Sequence, residues 1–217
     1  MIYNIINLIL LKGSDGCMKN RFFCVILLIV IMLTGCTQPE TAETNDIAAY
    51  VGETPITVAE FEFYLDNVKR QMEGTEFSSE EDWQNKEIGG RKAIEVAKER
   101  ALEIATQNIA YIIIYEKMGK TITDNDQIQI DAIKNGMMNE YSEEGYDKFL
   151  EDNNITDEFV DMLCKSAYCS ESFYNEIVLQ ENLSQEESDD AFNKFIEEKM
   201  KEYEIVAVET EAIKNIK

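Results

Sequence analysis

The sequence predicts a mainly α-helical domain in which a short β-strand near each end closes the fold. Apolar side chains recur at spacings of three and four through most of residues 57–202, which is typical of helices that bury one face. Residues 47–51 and 203–208 are instead short β-forming runs. Two strands at opposite ends of a chain favour pairing with each other, although an isolated pair is only marginally stable in water. We therefore expect a short two-stranded sheet that packs on about six helices.

The beginning of the chain has the features of a secretory signal peptide. Lys19 and Arg21 precede an apolar run over 22–33, which is too short for a membrane span of about 20 residues. A basic start, an apolar centre and small residues at the end are typical of a signal that is removed. We predict a signal peptide at 1–35, with translation starting at Met18 or at the first residue. The alternative is a transmembrane helix.

The residues that end this apolar run resemble a bacterial lipobox. They are Leu33, Thr34, Gly35 and Cys36. The resemblance implies that Leu33, Thr34 and Gly35 are recognised by the signal peptidase. It also implies that Cys36 becomes the first mature residue and carries a diacylglyceryl thioether with fatty acyl chains such as palmitate. The expected location is the extracytoplasmic face of the cell membrane, because two acyl chains give stable anchoring.

Composition divides the remaining chain into a tether, one domain and a tail. Residues 37–46 are polar and acidic and contain no hydrophobic side chain larger than alanine, so they cannot bury a core. We predict a disordered tether at 36–46, a helical domain at 47–209 and a C-terminal tail at 210–217.

Turn and capping residues predict where the elements of the domain begin and end. Glycine in the first position of the Gly52-Glu53 turn suits a type II′ geometry, and Thr57 with Glu60 forms a capping box for the first helix. The strongest helical pattern covers 91–118 and ends at Gly119. Further helices are expected to begin near Thr123, Gly145, Thr156 and Ser184, and Ile205-Val206-Ala207-Val208 is predicted to be a buried strand.

Composition also excludes several classes of function. The 217 residues include 43 acidic and 20 basic side chains, a net charge of −23, which excludes nucleic acid as a partner and disfavours anionic lipid headgroups. The chain has no histidine, so the usual general base and the commonest metal ligand are missing. Catalysis that pairs serine or cysteine with histidine is impossible. We predict no cofactor, no metal and no catalytic residues.

Two cysteines lie five residues apart in a predicted helix. Cys164 and Cys169 would stand about 140° apart around the helix axis, so they cannot form a disulfide without breaking the helix. We interpret them as small core side chains. A functional redox pair is the alternative.

Several short motifs, taken in order, are similar to those of the SurA/PrsA-type foldases. The first resembles the strand, turn and helix that open that family, and the last resembles the strand that closes its chaperone domain. The motifs are Val51-Gly52-Glu53-Thr54-Pro55-Ile56-Thr57 with Glu60-Phe61 and Tyr64-Leu65; Ala110 to Gly119 with Ile122-Thr123-Asp124; Phe149-Leu150 through Asn154-Ile155-Thr156 with Glu158-Phe159; and Glu202 to Val208.

The resemblance implies a SurA N-terminal or trigger-factor C-terminal type of helical chaperone domain. The family's Asn-Gly turn is Gly52-Glu53 here. The parvulin isomerase module, commonly inserted before the closing strand, is missing from this pattern. The resemblance therefore implies a chaperone that binds unfolded or exported polypeptides without prolyl isomerase activity. The alternatives are a dedicated envelope scaffold that binds one partner and a degenerate isomerase relative.

Methionine and aromatic side chains are the candidates for a polypeptide-binding cleft. Methionine is unbranched and polarizable, so it adapts to varied partners. The alternative for the same positions is ordinary core. The candidates are Met137, Met138, Tyr141, Tyr146, Phe149 and Met162.

Overall fold

The computed structural model describes residues 47–72, 77, 79–181 and 185–216. In this part of the chain it contains five strands and seven helices, which we number in chain order. The strands are β1 (Ile47–Val51), β2 (Thr54–Thr57), β3 (Glu87–Ile88), β4 (Arg91–Lys92) and β5 (Ala207–Glu209). The helices are α1 (Val58–Met72), α2 (Glu80–Asn85), α3 (Ala93–Lys117), α4 (Asp124–Asp152), α5 (Asp157–Glu181), α6 (Gln185–Glu202) and α7 (Glu211–Asn215).

The two ends of the described domain meet in one antiparallel sheet, as predicted. β1 is central, with β2 on one side and β5 on the other. The sheet therefore has three strands instead of the two predicted, because the chain turns at Gly52-Glu53 and pairs immediately with β1. Gly52 has φ +61° while Glu53 does not have a positive φ, which agrees with the predicted type II′ turn.

Helices α1 and α3 form the core against which the sheet and the other helices pack. α1 contributes fully buried Phe61 and Tyr64, and α3 presents Ala97, Ala101 and Ala105 without any exposed surface. Small side chains let two helix backbones approach closely while large ones from the facing helix fill the space between them. α5 and α6 then pack on α3, which explains why the end of α3 is apolar on every face.

Most predicted helix boundaries are confirmed. The Thr57 N–H donates to Glu60 Oε2 at 2.8 Å, and the Glu60 N–H donates to Thr57 Oγ1 at 3.2 Å, which is the expected capping box. Thr123 caps α4, and Thr156 accepts a hydrogen bond from the Phe159 N–H at 3.2 Å.

The predicted helix with Tyr146 and Phe149 is present as the second half of α4, but it begins after a break at Ser142 instead of at Gly145. The break in α4 lies at Ser142, which has φ 58° and ψ 165°. The Ser142 Oγ accepts a hydrogen bond from the Gly145 N–H at 3.4 Å, so Ser142 caps the second half of the helix. Serine can cap in this way because its hydroxyl satisfies an N–H that has no partner inside the helix.

The prediction of a buried strand over 205–208 is wrong in both extent and burial. β5 covers Ala207–Glu209, and the side chains of Val206 and Val208 are 62% and 60% exposed. β5 is an edge strand, and only one of its faces meets the helices. Sequence alone shows apolar residues in a row but does not show how many faces of a strand are covered.

The residues predicted as a C-terminal tail include a helix that packs on the domain. Ile213 of α7 and the following Ile216 are buried in the core. The Lys98 ammonium of α3 donates to the Ile213 carbonyl at 3.0 Å. The packed part of the chain therefore continues to residue 216.

Some predictions concern residues outside the described ranges. They are the signal peptide at 1–35, the lipobox from Leu33 to Cys36, the tether at 36–46 and the capping role of Ser184.

Candidate functional site

The six predicted polypeptide-binding residues lie on α4 and at the start of α5. Three of them, Met137, Tyr146 and Phe149, are buried in the core. The other three, Met138, Tyr141 and Met162, are half-buried and pack against that core. The three buried residues are therefore core side chains in this structure. Of the six, only the three half-buried residues have surface that a partner could contact.

Aromatic contacts join the second half of α4 to α1. Phe149 stacks on Tyr141 with ring centroids 5.0 Å apart, and it meets Phe63 of α1 edge to face at 6.4 Å. Phe63 also meets Phe159 of α5 at 5.5 Å. Such pairs contribute beyond their buried area, so Phe149 is a structural anchor for a helix that otherwise has few buried side chains.

Charged side chains connect α4 to α5 beside these aromatic rings. Lys134 of α4 donates to Asp157 at 2.6 Å and contacts Asp161 of α5 at 2.6 Å. The Tyr146 hydroxyl donates to the other oxygen of Asp157 at 2.7 Å. We call Lys134, Tyr146, Asp157 and Asp161 the α4–α5 latch, because together they join the two helices at the surface.

Burial and hydrogen bonding have opposite effects on the pKa values of Asp157 and Lys134 in the latch. Burial alone would raise the pKa of Asp157, but the bonds from Lys134 and Tyr146 outweigh it and the pKa is lowered. Burial alone would lower the pKa of Lys134, but the two aspartates raise it overall. Burial, together with the bonded carboxylate, raises the pKa of Tyr146. The ion pair is therefore fully charged at neutral pH.

Cys164 and Cys169 are buried free thiols, in agreement with the core interpretation. Their side chains are 1% and 0% exposed. Burial is the main cause that raises the pKa of each thiol to about 12. A thiol with such a pKa carries almost no thiolate at neutral pH, so neither is suited to nucleophilic or redox chemistry.

The outer face of the three-stranded sheet carries an apolar surface that the sequence did not predict. Tyr50 lies directly opposite Pro55 of β2 and Val208 of β5, so the three side chains share one face. Val206 lies two residues before Val208 and is equally exposed. We call Tyr50, Pro55, Val206 and Val208 the outer sheet patch. The alternation of Val206 and Val208 was visible in the sequence, but it was interpreted as burial.

A shallow groove lies between α1 and α3. Its volume is about 340 Å³, and it is lined by Val68, Gln71, Met72, Arg100, Glu103 and Ile104.

Among the described residues, no group of three or more acidic or cysteine side chains has the arrangement of a metal site. No helix in the described ranges combines the length and apolarity that a membrane crossing requires.

The fold defines a mainly helical domain whose two ends are joined by one antiparallel sheet. A curated protein similar in sequence is the foldase protein PrsA of Caldanaerobacter subterraneus subsp. tengcongensis, which is 25% identical over 108 residues. The match covers 50% of this chain and 35% of that protein, so it spans about a third of the relative's length. No protein-family model matches the chain, and no solved structure matches it. The similarity supports a relationship with PrsA-like foldases.

Proposed function

We propose that this protein is a lipid-anchored, extracytoplasmic chaperone that binds unfolded or exported polypeptides without catalysing a reaction. The observation that carries the proposal is the similarity to a foldase protein over half of the chain. The helical fold closed by strands from both chain ends supports it, because the motif resemblance implies the same arrangement. The lipobox sequence that ends at Cys36 supports the anchoring.

The α4–α5 pair is the region we assign to polypeptide binding. Met138, Tyr141 and Met162 have partly exposed side chains there, and flexible or aromatic side chains suit partners of varied sequence. Separation of α4 from α5 would add Met137, whose sulfur lies 4.0 Å from that of Cys164 of α5, to the same surface. The α4–α5 latch opposes this separation with ion pairs at the surface, which contribute little energy. Binding and release would then need no fuel molecule.

The acidic surface would select among partners. A net charge of −23 attracts basic segments and repels acidic ones, and this affects the rate of encounter more than the final affinity. We therefore expect faster capture of basic unfolded chains, with a rate that falls as salt is added.

Suppression of aggregation tests the binding function. The purified domain should delay aggregation of several unrelated unfolded proteins, and the double variant Met138→Ser with Met162→Ser should lose most of this effect. Met200→Ser is the matched control, because Met200 is a half-buried methionine on α6. Equal loss in the control and the double variant would contradict the assigned region. No delay with any client, together with one stoichiometric partner in a pull-down, would favour a dedicated scaffold.

Two further measurements test the remaining parts of the proposal. A prolyl isomerase assay on a peptide should give the uncatalysed rate, and a rate above it would contradict the non-catalytic role. Cys36→Ser should prevent both lipidation and cleavage, so mass spectrometry of this variant should find residues that precede position 36. Mass spectrometry of the wild-type N-terminal peptide should find a lipid on the Cys36 sulfur, and an unmodified thiol there would contradict the anchor.

A further inference from the structure

The two edges of the three-stranded sheet differ in whether they can accept another strand. In the β1–β2 hairpin the turn makes Val51 and Thr54 the hydrogen-bonded pair. Because hydrogen-bonded and non-bonded pairs alternate along an antiparallel ladder, the backbone nitrogen of Pro55 faces the outer edge of β2. Proline has no N–H to donate, and natural sheets place it on edges for this reason. The β2 edge is therefore protected.

The β5 edge presents unused backbone groups. The Thr210 N–H donates to the Ala48 carbonyl at 2.9 Å, which makes Tyr50 and Val208 the next hydrogen-bonded pair in the ladder. The N–H and C=O groups of Ala207 and Glu209 consequently point away from β1. No other described strand lies on that side of β5.

Apolar side chains and carboxylates surround this open edge. Val206 and Val208 of the outer sheet patch are 62% and 60% exposed. Glu204 lies before β5 and Glu209 ends it, and both are exposed. Among the nearby lysines, Lys199 and Lys214 are paired with Glu202 and Glu211, and Lys98 and Lys214 lie close enough to Glu209 to interact with it. A segment that binds here therefore meets apolar surface beside the exposed carboxylate of Glu204, within a chain of net charge −23.

We propose that the β5 edge binds an extended polypeptide segment, rich in lysine or arginine and alternating with apolar residues, as a fourth strand of the sheet. Backbone pairing to an exposed edge gives affinity with little dependence on sequence, while alternate side chains give selectivity. The apolar residues of the segment would lie on Val206 and Val208, and its basic residues would face the carboxylates. This inference rests on the proposed function, since it names a second surface for polypeptides.

The charge of the chain disfavours a second copy as the occupant. Two copies paired through β5 would bring two surfaces of net charge −23 against each other, which costs energy over distances within the screening length. A three-residue strand also offers only a short ladder. The complex with a basic segment should therefore be weak and exchange rapidly.

Charge-swap variants of the outer sheet patch test the proposal. The probe is a fluorescent peptide of alternating lysine and valine, and binding is followed by anisotropy at low salt. The double variant Val206→Lys with Val208→Lys should weaken binding at least about tenfold, because lysines on an edge repel a basic strand. Val206→Glu with Val208→Glu loses the same apolar surface, but it should weaken binding much less. Met118→Lys is the control, because Met118 is an exposed apolar residue at the end of α3, outside β5 and outside the α4–α5 pair, and its replacement should not change binding.

Hydrogen exchange locates the bound peptide directly. The amides of Ala207 and Glu209 should exchange more slowly when peptide is added, while the already bonded amide of Val208 should change little. Ala207→Pro removes one outward N–H without removing a bond to β1, and it should reduce binding while the circular dichroism spectrum stays the same. If the Ala207→Pro variant does not fold, the difference in peptide binding between the lysine and glutamate double variants still tests the β5 edge as the binding site.

The outcomes of these experiments distinguish peptide binding at the β5 edge from the proposed chaperone function. Equal binding by the lysine and glutamate variants, or protection at α4 and α5 instead of β5, would overturn the edge site. Normal suppression of aggregation by the lysine variant would then show that the chaperone role uses another surface. A wild-type dimer in sedimentation that the lysine variant abolishes would assign the edge to a second copy and overturn the peptide as its occupant. Peptide binding at β5 without any suppression of aggregation would contradict the proposed function alone.

Discussion

The α1–α3 pair and helix α4 differ in how they are held in the fold. α3 buries 12 of its 25 residues and α1 buries seven of 15. α4 has 29 residues, and only Ile130, Met137, Tyr146 and Phe149 are buried among its described side chains. α4 compensates with the latch to α5 and with a cap at its own break. Close packing along its whole length therefore fixes the first region, while the second depends on four buried side chains and on weak polar contacts at the surface.

Matched isoleucine truncations should show this difference most strongly. Ile109 of α3 and Ile130 of α4 are each 4% exposed. Truncation of a buried isoleucine to alanine costs about 2–5 kcal/mol, depending on how well the surroundings close the cavity. We expect Ile109→Ala near the upper end of this range and Ile130→Ala near the lower end, measured by urea unfolding. Equal losses would contradict the difference in packing.

A buried polar contact in the α1–α3 pair should have the next largest effect. The Asn108 amide donates to the Tyr64 hydroxyl at 3.1 Å, and both side chains are buried. Asn108→Leu leaves that hydroxyl without its donor and should cost about 1–3 kcal/mol of unfolding free energy. Adding Tyr64→Phe to this variant should recover part of the loss. An additive double-mutant cycle would show that the two groups do not depend on each other.

Relief of backbone strain at the break in α4 should raise the unfolding free energy, whereas the two preceding changes lower it. Ser142 has φ 58° and ψ 165°, a conformation that glycine adopts readily and other residues adopt at a cost of about 1–3 kcal/mol. Ser142→Gly should therefore raise the unfolding free energy by about 1 kcal/mol, since glycine is also a tolerable cap. Ser142→Ala keeps the strain and loses the cap, so it should be destabilising. A loss of stability in the glycine variant would contradict the strained geometry.

The latch should have the smallest effect, and the effect should depend on pH. The folded pKa of Asp157 is lowered, so its stabilisation is present above its unfolded pKa of about 4 and is lost as the pH falls through the folded pKa. Asp157 is half exposed, so we expect Asp157→Asn to cost about 0.5–1 kcal/mol at pH 6. The difference from wild type should shrink as the pH falls below about 4 and through the lowered pKa of Asp157, measured by chemical unfolding at each pH. A difference that grows at low pH would contradict the role of the carboxylate.

The sequence was informative wherever a local signal determines the structure. The Thr57 and Thr123 caps, the end of α3 at Gly119 and the pairing of β1 with β5 were all predicted and are confirmed. These features depend on hydrogen bonds or backbone conformations that a few neighbouring residues specify.

The sequence was less informative about which surface remains uncovered. Apolar runs show that a side chain favours burial, but neighbours distant in sequence decide whether burial occurs. Val206 and Val208 were predicted to be buried, and they are exposed because β5 lies at an edge. Met137 and Tyr146 were offered as binding residues, and they are buried because α5 covers them. For the candidate site, the sequence predicted the helices involved but not which of their side chains reach the solvent.

The pairing of β1 with β5 sets an order of events during folding. The Thr210 hydroxyl donates to the Ile47 carbonyl across 163 positions of sequence. β1 emerges before β5, both from the ribosome and during the proposed export, so the central strand of the sheet has one side unpaired until β5 follows. Contacts between such distant residues form late, and growing chains with unpaired edges are prone to aggregate. A protein that we propose to guard other incomplete chains therefore passes through the same vulnerable stage, and the pairing of β5 with β1 ends that stage.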